Sequence, residues 1–352
     1  MSGMRRRSLL AIAGLPVAGC AALPPEAEGF ALVSAQRAAR LDGAPATAVA
    51  AVRRAAAREA TREPHAMARV HVEGTLPHQG IYDESALALR DLPAARDLAL
   101  AGCLAPDPAA TAAAARLCGA WVATYAPSFN PIDETGFEAL FIAWDLLPAP
   151  YRVPHRAAYA RLVSRFADGY PGQTLRGATA TNNWNSHRVK LATLASFATG
   201  TPDRIARARE RFIAQLWGNI DPSGEVIDFR QRDALHYVIY SLEPLLMACL
   251  AANRHGQDWF HDADDRLPRA LGWLRPFLDG ARQHVEFANT TIAFDRTRRA
   301  AGLPGFDGPF KPAAARTLLA MAMRLDPAWA PLARALKTEP WQDAWLDVIW
   351  PA

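Results

Sequence analysis

The chain has 352 residues, of which 51% are hydrophobic and 21% are charged, and its formal net charge is +4. This composition excludes a disordered chain, because apolar residues run throughout and can build a sizeable core. The small excess of positive charge is compatible with an acidic binding partner but does not identify one. The sequence has no lysine-rich run interleaved with aromatic residues, so nucleic-acid binding is not expected.

Residues 1–20 are typical of an export signal. The basic stretch "MRRRSLL" precedes a short apolar run that ends in "VAGC" at Cys20. The run is too short for a permanent membrane span. Its end resembles a bacterial lipobox, which would make Cys20 the lipidated first residue of the mature protein; the alternative is ordinary cleavage after "GCA". In both cases we expect an exported protein, either periplasmic or anchored to the outer membrane. The only membrane contact we expect is through a lipid on Cys20.

Export would place the other cysteines in an oxidising compartment. Cys103 and Cys118 could then form a disulfide, although the sequence does not show their separation in space. Cys249 lies on an apolar helical face and is expected to be a buried thiol. The spacing of these cysteines matches no metal site.

The chain is predicted to be almost entirely helical. Residues 21–64 are alanine-rich and indicate a tether with one or two helices, and residues 65–352 are expected to form the main domain. Apolar residues at helical spacing, separated by Pro and Gly breaks, predict helices at 85–104, 109–123, 134–147, 154–169, 185–198, 203–218, 231–252, 267–279, 312–325 and 329–337. "HVEGT" and "GEVIDF" are the best strand candidates. Many helices joined by short turns, without a heptad or a strict repeat, predict an all-α fold of the (α/α) toroid type, with polar loops lining a cleft.

The stretch "QRDALHYVIYSLEPLL" carries an unusual polar face. Its apolar residues cover one side of the predicted helix, whereas Arg232, His236, Tyr240 and Glu243 fall together on the other. An ordinary solvated face would more often carry Lys, Glu and Gln. Because Pro244 cannot bond to the carbonyl of Tyr240, we expect a kink beside this tyrosine. We interpret the polar face as part of a functional site.

A second polar cluster occupies the stretch "NNWNSHR". Asn182 or Asn183 can cap the helix that follows. With Asn183 at the helix start, His187 lies one turn further on the same face, and Lys190 follows it. Amide, imidazole and ammonium groups at a helix N-terminus are suited to hold a carboxylate or another anion.

Together these stretches resemble the alginate lyase superfamily, whose members are helical toroids that cleave uronate polymers. Alginate lyases of polysaccharide lyase family five carry an Asn-Asn-His motif on one helix and an Arg-Ala-Leu-x-Tyr-His-x-Tyr motif on another. The resemblance covers residues 67–327, including the loops "VEGTLPHQGIYDES" and "YAPSFNPIDETGFEAL". It implies that Asn183 is the second motif asparagine and that Tyr240 is the catalytic tyrosine.

Two positions depart from the family motifs. Trp184 stands where the family has its histidine, so that role would pass to His187. Asp233 stands where the family has its arginine, and Arg232 is the natural substitute; the inner motif histidine is Val238. These departures leave the identity of the polymer open.

The residues fit β-elimination at a 4-linked uronate, in which the proton at C5 is removed and the oxygen at C4 leaves. Asn183, His187 and Arg232 would neutralise the C5 carboxylate. Tyr240, with its pKa lowered by cations such as Arg232, would take the proton and return one to the leaving oxygen. His187 or His236 could be the base instead.

Further substrate contacts are expected from the polar loops and helix starts. The predicted substrate-binding residues are Asn182, Trp184, Lys190, His236, Tyr237, Glu73, His78, Tyr125 and Arg188. The partner would be an acidic polysaccharide, either alginate or a glucuronan-type polyglucuronate. We expect a monomer that needs no metal or other cofactor.

Two other functions are compatible with the sequence. A helical-toroid glycoside hydrolase would need two separated carboxylates, for which Asp133 and Glu134 are candidates. Both follow Asn130 and Pro131, however, and therefore also fit an ordinary helix start. The other function is that of a lipid-anchored, non-catalytic polysaccharide-binding protein, against which the retention of Tyr240 counts.

Overall fold

The structure is a computed structural model that describes residues 29–41, 43–336 and 343–351. The predicted export signal and Cys20 lie outside the described residues, so export and lipidation stay predictions. Within the described ranges the chain forms seventeen α-helices, some of them joined by short 3-10 turns. They are α1 (Ala35–Ala38), α2 (Ala46–Glu59), α3 (Tyr82–Leu89), α4 (Asp91–Leu104), α5 (Pro108–Thr124), α6 (Phe137–Leu146), α7 (Ala149–Arg152), α8 (Arg156–Gly172), α9 (Asn183–Thr199), α10 (Pro202–Asn219), α11 (Ile227–Arg232), α12 (Leu235–Arg254), α13 (Asp262–Leu278), α14 (Ala293–Ala300), α15 (Arg316–Leu325), α16 (Ala330–Leu336) and α17 (Ala344–Ile349).

The helices are arranged in two layers around one large hydrophobic core, and a small second cluster contains Tyr237 and Phe287. α4, α6, α9, α12 and α15 follow one another side by side in the inner layer. α2, α5, α8 and α10 cover them from outside, and α13 continues the outer layer beside α10. The described residues contain no strand and only two isolated β-bridges. One bridge joins Ile220 to Val226, and Val226 belongs to the strand candidate "GEVIDF". The prediction of an all-α toroid is confirmed.

α12 is the central helix of this core. Within the described chain it alone is long and apolar enough to cross a membrane, yet 83% of its apolar window is buried inside the protein. Its inward residues pack against α9 and α15. α12 therefore has the burial of a core helix.

The predicted helix at 85–104 is wrong, because the chain forms two helices there. α3 ends at Leu89 and α4 begins at Asp91, with Arg90 between them. Pro93 has no N–H to donate to the carbonyl of Leu89, so a continuous helix would lose a bond and gain a clash at this point. The other predicted helices are present with ends shifted by a few residues, apart from the stretch at 231–252.

The predicted helix at 231–252 is also interrupted. Asp233 adopts a left-handed conformation, with φ 50° and ψ 50°, and separates α11 from α12. Its main-chain carbonyl accepts the N–H of Phe287 at 2.7 Å, and its carboxylate accepts that of Asn289 at 2.8 Å. These contacts with a distant loop hold the break, so Arg232 and Tyr240 do not share one continuous helical face.

The cysteine pair is not bonded. Cys103, Cys118 and Cys249 are all free thiols. The Sγ of Cys103 instead contacts the main-chain carbonyl of Leu146 at 3.3 Å. Burial raises the pKa of Cys103 to about 11 and that of Cys118 to about 12, so both thiols stay protonated.

Candidate active site

Polar and aromatic side chains meet in a cleft at the beginning of α12. The cleft has a volume of about 310 Å³. Its walls come from the loop before α3, the turn before α6, the first turns of α12, α14 and the loop after α14. The lining residues are Val72, Glu73, Thr75, Pro77, Tyr82, Ile132, His236, Tyr237, Tyr240, Arg298, Leu303 and Phe306. Of the predicted site residues, the structure therefore brings Glu73, His236, Tyr237 and Tyr240 together.

Tyr240 projects from the second turn of α12 and lines the cleft as a half-buried side chain. No hydrogen bond joins its hydroxyl to any residue that the structure describes. Burial raises the pKa of Tyr240 above its ordinary value; Tyr237 and Glu243 add to the increase, whereas Arg298 opposes it. The predicted lowering of this pKa by Arg232 is wrong, because burial outweighs the nearby cations. At neutral pH the phenol is protonated and can act as a proton donor.

Arg298 of α14 is a cleft residue that the sequence interpretation missed. Its Nη1 donates to the hydroxyl of Tyr237 at 2.9 Å, and it lies 3.9 Å from the carboxylate of Asp295. Arg232 is ion-paired with the same Asp295 and lies over the ring of Tyr237, 3.8 Å from its centroid, so it is already engaged. The sequence signal for Arg298 is the basic run "RTRR", which has no apolar period that would predict a helix.

His236 is exposed to the cleft on the first turn of α12. Its ring is within 6° of parallel to that of Tyr240, with the two centroids 6.4 Å apart. Its main-chain N–H donates to the carboxylate of Glu286 at 3.0 Å, which holds the helix start in place. Partial desolvation by the surrounding protein lowers the pKa of His236, as do the charges of Arg298 and Arg232. At neutral pH the ring is therefore uncharged and can accept a proton.

The amides at the beginning of α9 form an interior network. Asn182 caps the helix, since its side chain accepts the N–H of Trp184 at 3.1 Å. The side-chain amide of Asn183 donates to the buried carboxylate of Asp228 at 2.6 Å, and Asn219 donates to the same carboxylate. This network joins α9, α10 and α11 and explains why the stretch is so rich in asparagine. Direct contact of these amides with a substrate stays a prediction.

His187 lies beneath Tyr240 and not in the cleft wall. It is only 3% exposed, and its ring centroid is 4.3 Å from that of Tyr240. Its Nδ1 is 2.7 Å from the hydroxyl of Thr135. Burial lowers the pKa of His187 well below its ordinary value, and the charge of Lys190 lowers it further. His187 is therefore uncharged and supports Tyr240 from within the protein.

Three other predicted substrate-binding residues also lie outside the cleft. Lys190 and Tyr125 are buried, and their polar atoms bond to other protein groups. His78 is exposed on the loop before α3, where its ring pairs with Asp83 at 2.7 Å. Lys190 was predicted from its position after His187 and Tyr125 from its aromatic side chain, and neither signal reveals which side of a helix or loop faces the interior.

A larger cavity, of about 430 Å³, lies between α8, α9 and α10. It is lined in part by Arg188 and Arg211, whose guanidinium groups each donate to a main-chain carbonyl. Trp184 is half-buried nearby, with its ring 5.6 Å from the guanidinium of Arg188. Tyr240 does not line this cavity. We place the active site in the smaller cleft, because the titratable groups suited to acid-base chemistry converge there.

Asp133 and Glu134 are buried anchors for loops. The carboxylate of Asp133 lies 2.9 Å from the ring of His71 and accepts the N–H groups of Val72 and Glu73, each at 2.8 Å. Glu134 accepts hydrogen bonds from two tyrosine hydroxyls. Their assignment to a helix start is wrong, since α6 begins only at Phe137. Their structural role explains how the loop carrying Glu73 is held beside α12.

Comparisons with known proteins agree with this architecture. The sequence model of the alginate lyase family matches residues 38–284. The fold is similar to that of an alginate lyase from Bacteroides ovatus over 92% of this chain and 99% of that chain, with a TM-score of 0.65 and 16% identity.

Two further solved structures share the fold. Alginate lyase A1-III from Sphingomonas species A1 matches over 72% of this chain and 78% of its own, with a TM-score of 0.55 and 18% identity. A variant of alginate lyase A1-III in complex with a tetrasaccharide matches over 82% of this chain and 84% of its own, with a TM-score of 0.56 and 15% identity. No curated protein matches the sequence.

Proposed function

The chain belongs to the alginate lyase family and is a polysaccharide lyase, and on this basis we propose that it cleaves a 4-linked uronate polymer by β-elimination in the cleft around Tyr240. The observation that carries the proposal is the convergence of a protonated phenol, a neutral imidazole and a guanidinium in one cleft. Alginate is the expected polymer, with a glucuronan-type polyglucuronate as the second candidate.

Tyr240 is the proton donor in this scheme and His236 the base. A phenol whose pKa is raised by burial holds its proton until the leaving oxygen at C4 takes it. The neutral ring of His236 removes the proton from C5; the C–H electron pair becomes the C4–C5 double bond, and the bond from C4 to oxygen breaks. The imidazolium and tyrosinate that result exchange a proton through solvent and restore the site.

Arg298 supplies the positive charge that the reaction needs. Negative charge develops on the C5 carboxylate as the proton leaves, and a guanidinium can pair with both oxygens of that group. Glu73 lines the same cleft and would repel a polyanion if it were ionised. Burial raises the pKa of Glu73, and the charge of Asp133 acts in the same direction, so its repulsion is reduced.

The hydrolase alternative is less compatible with the cleft. A glycoside hydrolase needs two carboxylates across the scissile bond. Among the described lining residues Glu73 is the only acid, and the carboxylates of Asp133 and Glu134 are occupied by loop contacts. A non-catalytic binding protein would not need a proton donor and a proton acceptor in one cleft, so the pairing of Tyr240 with His236 favours an enzyme.

The test follows the ultraviolet absorbance of the unsaturated uronate that elimination creates. Purified protein is mixed in parallel with polymannuronate, polyguluronate and glucuronan. We expect a rise on at least one polymer, and a loss of about 10²- to 10⁴-fold in kcat for Tyr240→Phe and for His236→Gln, since each removes one acid-base group. Tyr151→Phe, a tyrosine of α7 away from the cleft, is the matched control and should retain activity.

The two variants also distinguish the role of Tyr240 from that of His236. If His236→Gln retains full activity while Tyr240→Phe is inactive, Tyr240 serves as both base and acid, and the role of His236 is wrong. If no polymer yields an unsaturated product, the proposed reaction is wrong and a binding function gains support.

A further inference from the structure

A partly buried chain of hydrogen bonds runs under Tyr240 from the turn before α6 to α9. The ammonium group of Lys190 donates to the hydroxyl of Thr135 at 2.8 Å and to the carbonyl of the same residue at 2.9 Å. It also pairs with Glu138 at 2.6 Å. The hydroxyl of Thr135 in turn lies 2.7 Å from Nδ1 of His187. None of these groups lines the cleft, and the side chains of His187 and Lys190 are buried.

The direction of each hydrogen bond in this chain follows from the number of protons. An ammonium group has three hydrogens and accepts none, so Lys190 uses all three on Thr135 and Glu138. The hydroxyl of Thr135 therefore accepts from Lys190 and keeps its own hydrogen to donate, and Nδ1 of His187 is the acceptor within reach among the described residues. This arrangement leaves Nδ1 as the unprotonated nitrogen of the ring; the alternative, in which the hydroxyl accepts from both neighbours, leaves the hydrogen of Thr135 without an acceptor among the described residues.

The ring of His187 consequently carries its single proton on Nε2. A second proton is disfavoured because the ring is buried and Lys190 is nearby. Nε2 is itself buried, and it makes no hydrogen bond of good geometry to any described residue. The main-chain carbonyl of Tyr240 lies close enough to favour a proton on His187. That carbonyl is free because Pro244, four residues later in the uninterrupted α12, has no N–H to give it.

We propose that Thr135 and Lys190 are positioning residues that hold His187 in the tautomer with its proton on Nε2, and that this neutral ring braces Tyr240 for proton transfer. The bracing acts through the ring contact and the free carbonyl of Tyr240. The catalytic part of this inference rests on the proposed lyase function, whereas the tautomer does not depend on any substrate.

The first experiment measures the tautomer directly. Protein labelled with ¹⁵N in histidine is examined by long-range proton–nitrogen NMR, and the spectrum of His187→Gln identifies the signals of His187 by their absence. The wild-type protein should show Nε2 protonated and Nδ1 unprotonated. Thr135→Val has nearly the same shape but no hydroxyl, and should show a mixture of tautomers or the proton on Nδ1. Thr135→Ser restores the hydroxyl and should restore the wild-type signals.

The second experiment measures catalysis on the best of the three polymers. We expect kcat to fall by up to about 100-fold in Thr135→Val, with KM little changed, because a small misplacement of a reacting group is costly while the cleft surface is unaltered. Thr135→Ser should recover most of this loss. If Thr135→Val does not fold by circular dichroism, Lys190→Met serves in its place, since it removes the donor that orients the hydroxyl.

The outcomes separate this inference from the proposed function. An unchanged single tautomer in Thr135→Val overturns the positioning role whatever the enzyme does. A changed tautomer with unchanged kcat overturns the link to catalysis. If the wild-type protein has no lyase activity, the proposed function fails while the NMR spectra still decide the tautomer.

Discussion

At the scale of single residues, the ionisation of Tyr240 reflects two opposing influences. Arg298 favours the tyrosinate, whereas burial favours the phenol, and burial is the larger of the two. His236 responds differently to the same surroundings, because burial and positive charge both favour its neutral form. One cleft therefore keeps a proton on the acid and off the base, as a general acid-base pair requires.

Replacing Arg298 with Gln should shift both the acid and the alkaline limb of the profile of kcat/KM against pH to higher pH. Arg298 lowers the pKa of His236, so without it the base is protonated at higher pH and the acid limb of kcat/KM shifts up. Arg298 also lowers the pKa of Tyr240, so the alkaline limb shifts up as well. Loss of the charged contact with the substrate carboxylate should reduce kcat/KM by about 10- to 100-fold.

Two control variants accompany this measurement of kcat/KM against pH. Arg298→Lys keeps the charge and should leave both limbs nearly in place. Arg296→Gln removes an exposed arginine from the same helix and should change neither the limbs nor the rate. A profile for Arg298→Gln that coincides with wild type would remove Arg298 from the site.

At the scale of elements, α6 attaches the N-terminal segment to the inner layer. The carboxylate of Asp145 accepts the main-chain N–H groups of Ala31, Leu32 and Val33 at 2.8 to 3.1 Å, and all four residues are buried. Burial raises the pKa of Asp145 to about 7 despite these donors. The segment that precedes α1 is thus held in part by a side chain more than one hundred residues away in the sequence.

Asp145→Ala should destabilise the protein by about 2–4 kcal/mol, because it removes the acceptor of three buried N–H groups. The free energy of unfolding is measured by urea titration. Glu63→Ala, at a side chain that is 79% exposed, is the control and should be close to neutral. Equal stability of the two variants would mean that the hydrogen bonds of Asp145 contribute nothing to the stability of the fold.

At the scale of the whole molecule, several elements converge on the carboxyl group of Glu243, one turn below Tyr240. Burial raises its pKa to about 8, and the charges of Asp343 and Glu138 add to the increase, while Lys190 and the main chain at Leu318 oppose it. These groups come from α6, α9, α15 and the residue before α17. The carboxyl group of Glu243 is therefore largely protonated near neutral pH, and its ionisation destabilises the packing of the helices around it.

Glu243→Gln should make the protein less sensitive to alkaline pH. The pKa of Glu243 is higher in the folded state than its ordinary 4.5, so its stabilising contribution is complete at acid pH, falls as pH rises and is lost above about 8. Gln keeps the shape without the ionisation. Urea midpoints from about pH 5 to about pH 9 should fall more steeply for wild type than for Glu243→Gln. Glu210→Gln, at an exposed position of α10, should follow wild type.

The sequence by itself determined the helical class, most of the helices and the importance of the stretch around Tyr240. These features are local: apolar residues at helical spacing form helices wherever a second layer can cover them, and the cluster of His236, Tyr237 and Tyr240 lies within two turns of one helix. Proline at Pro93 also carries local information, and its effect on the helix could have been predicted from the sequence.

Only the tertiary structure decided which polar groups face the cleft and which face the interior. Arg298 reaches Tyr237 from an element with no apolar period, and the break at Asp233 is held by a loop more than fifty residues later. The position of Lys190 along α9 is the one expected of a residue that faces the cleft. Its side chain nevertheless lies inside the protein, where it bonds to Thr135. Burial, ionisation and hydrogen-bond direction depend on neighbours distant in the sequence, and the period of a single helix contains no information about them.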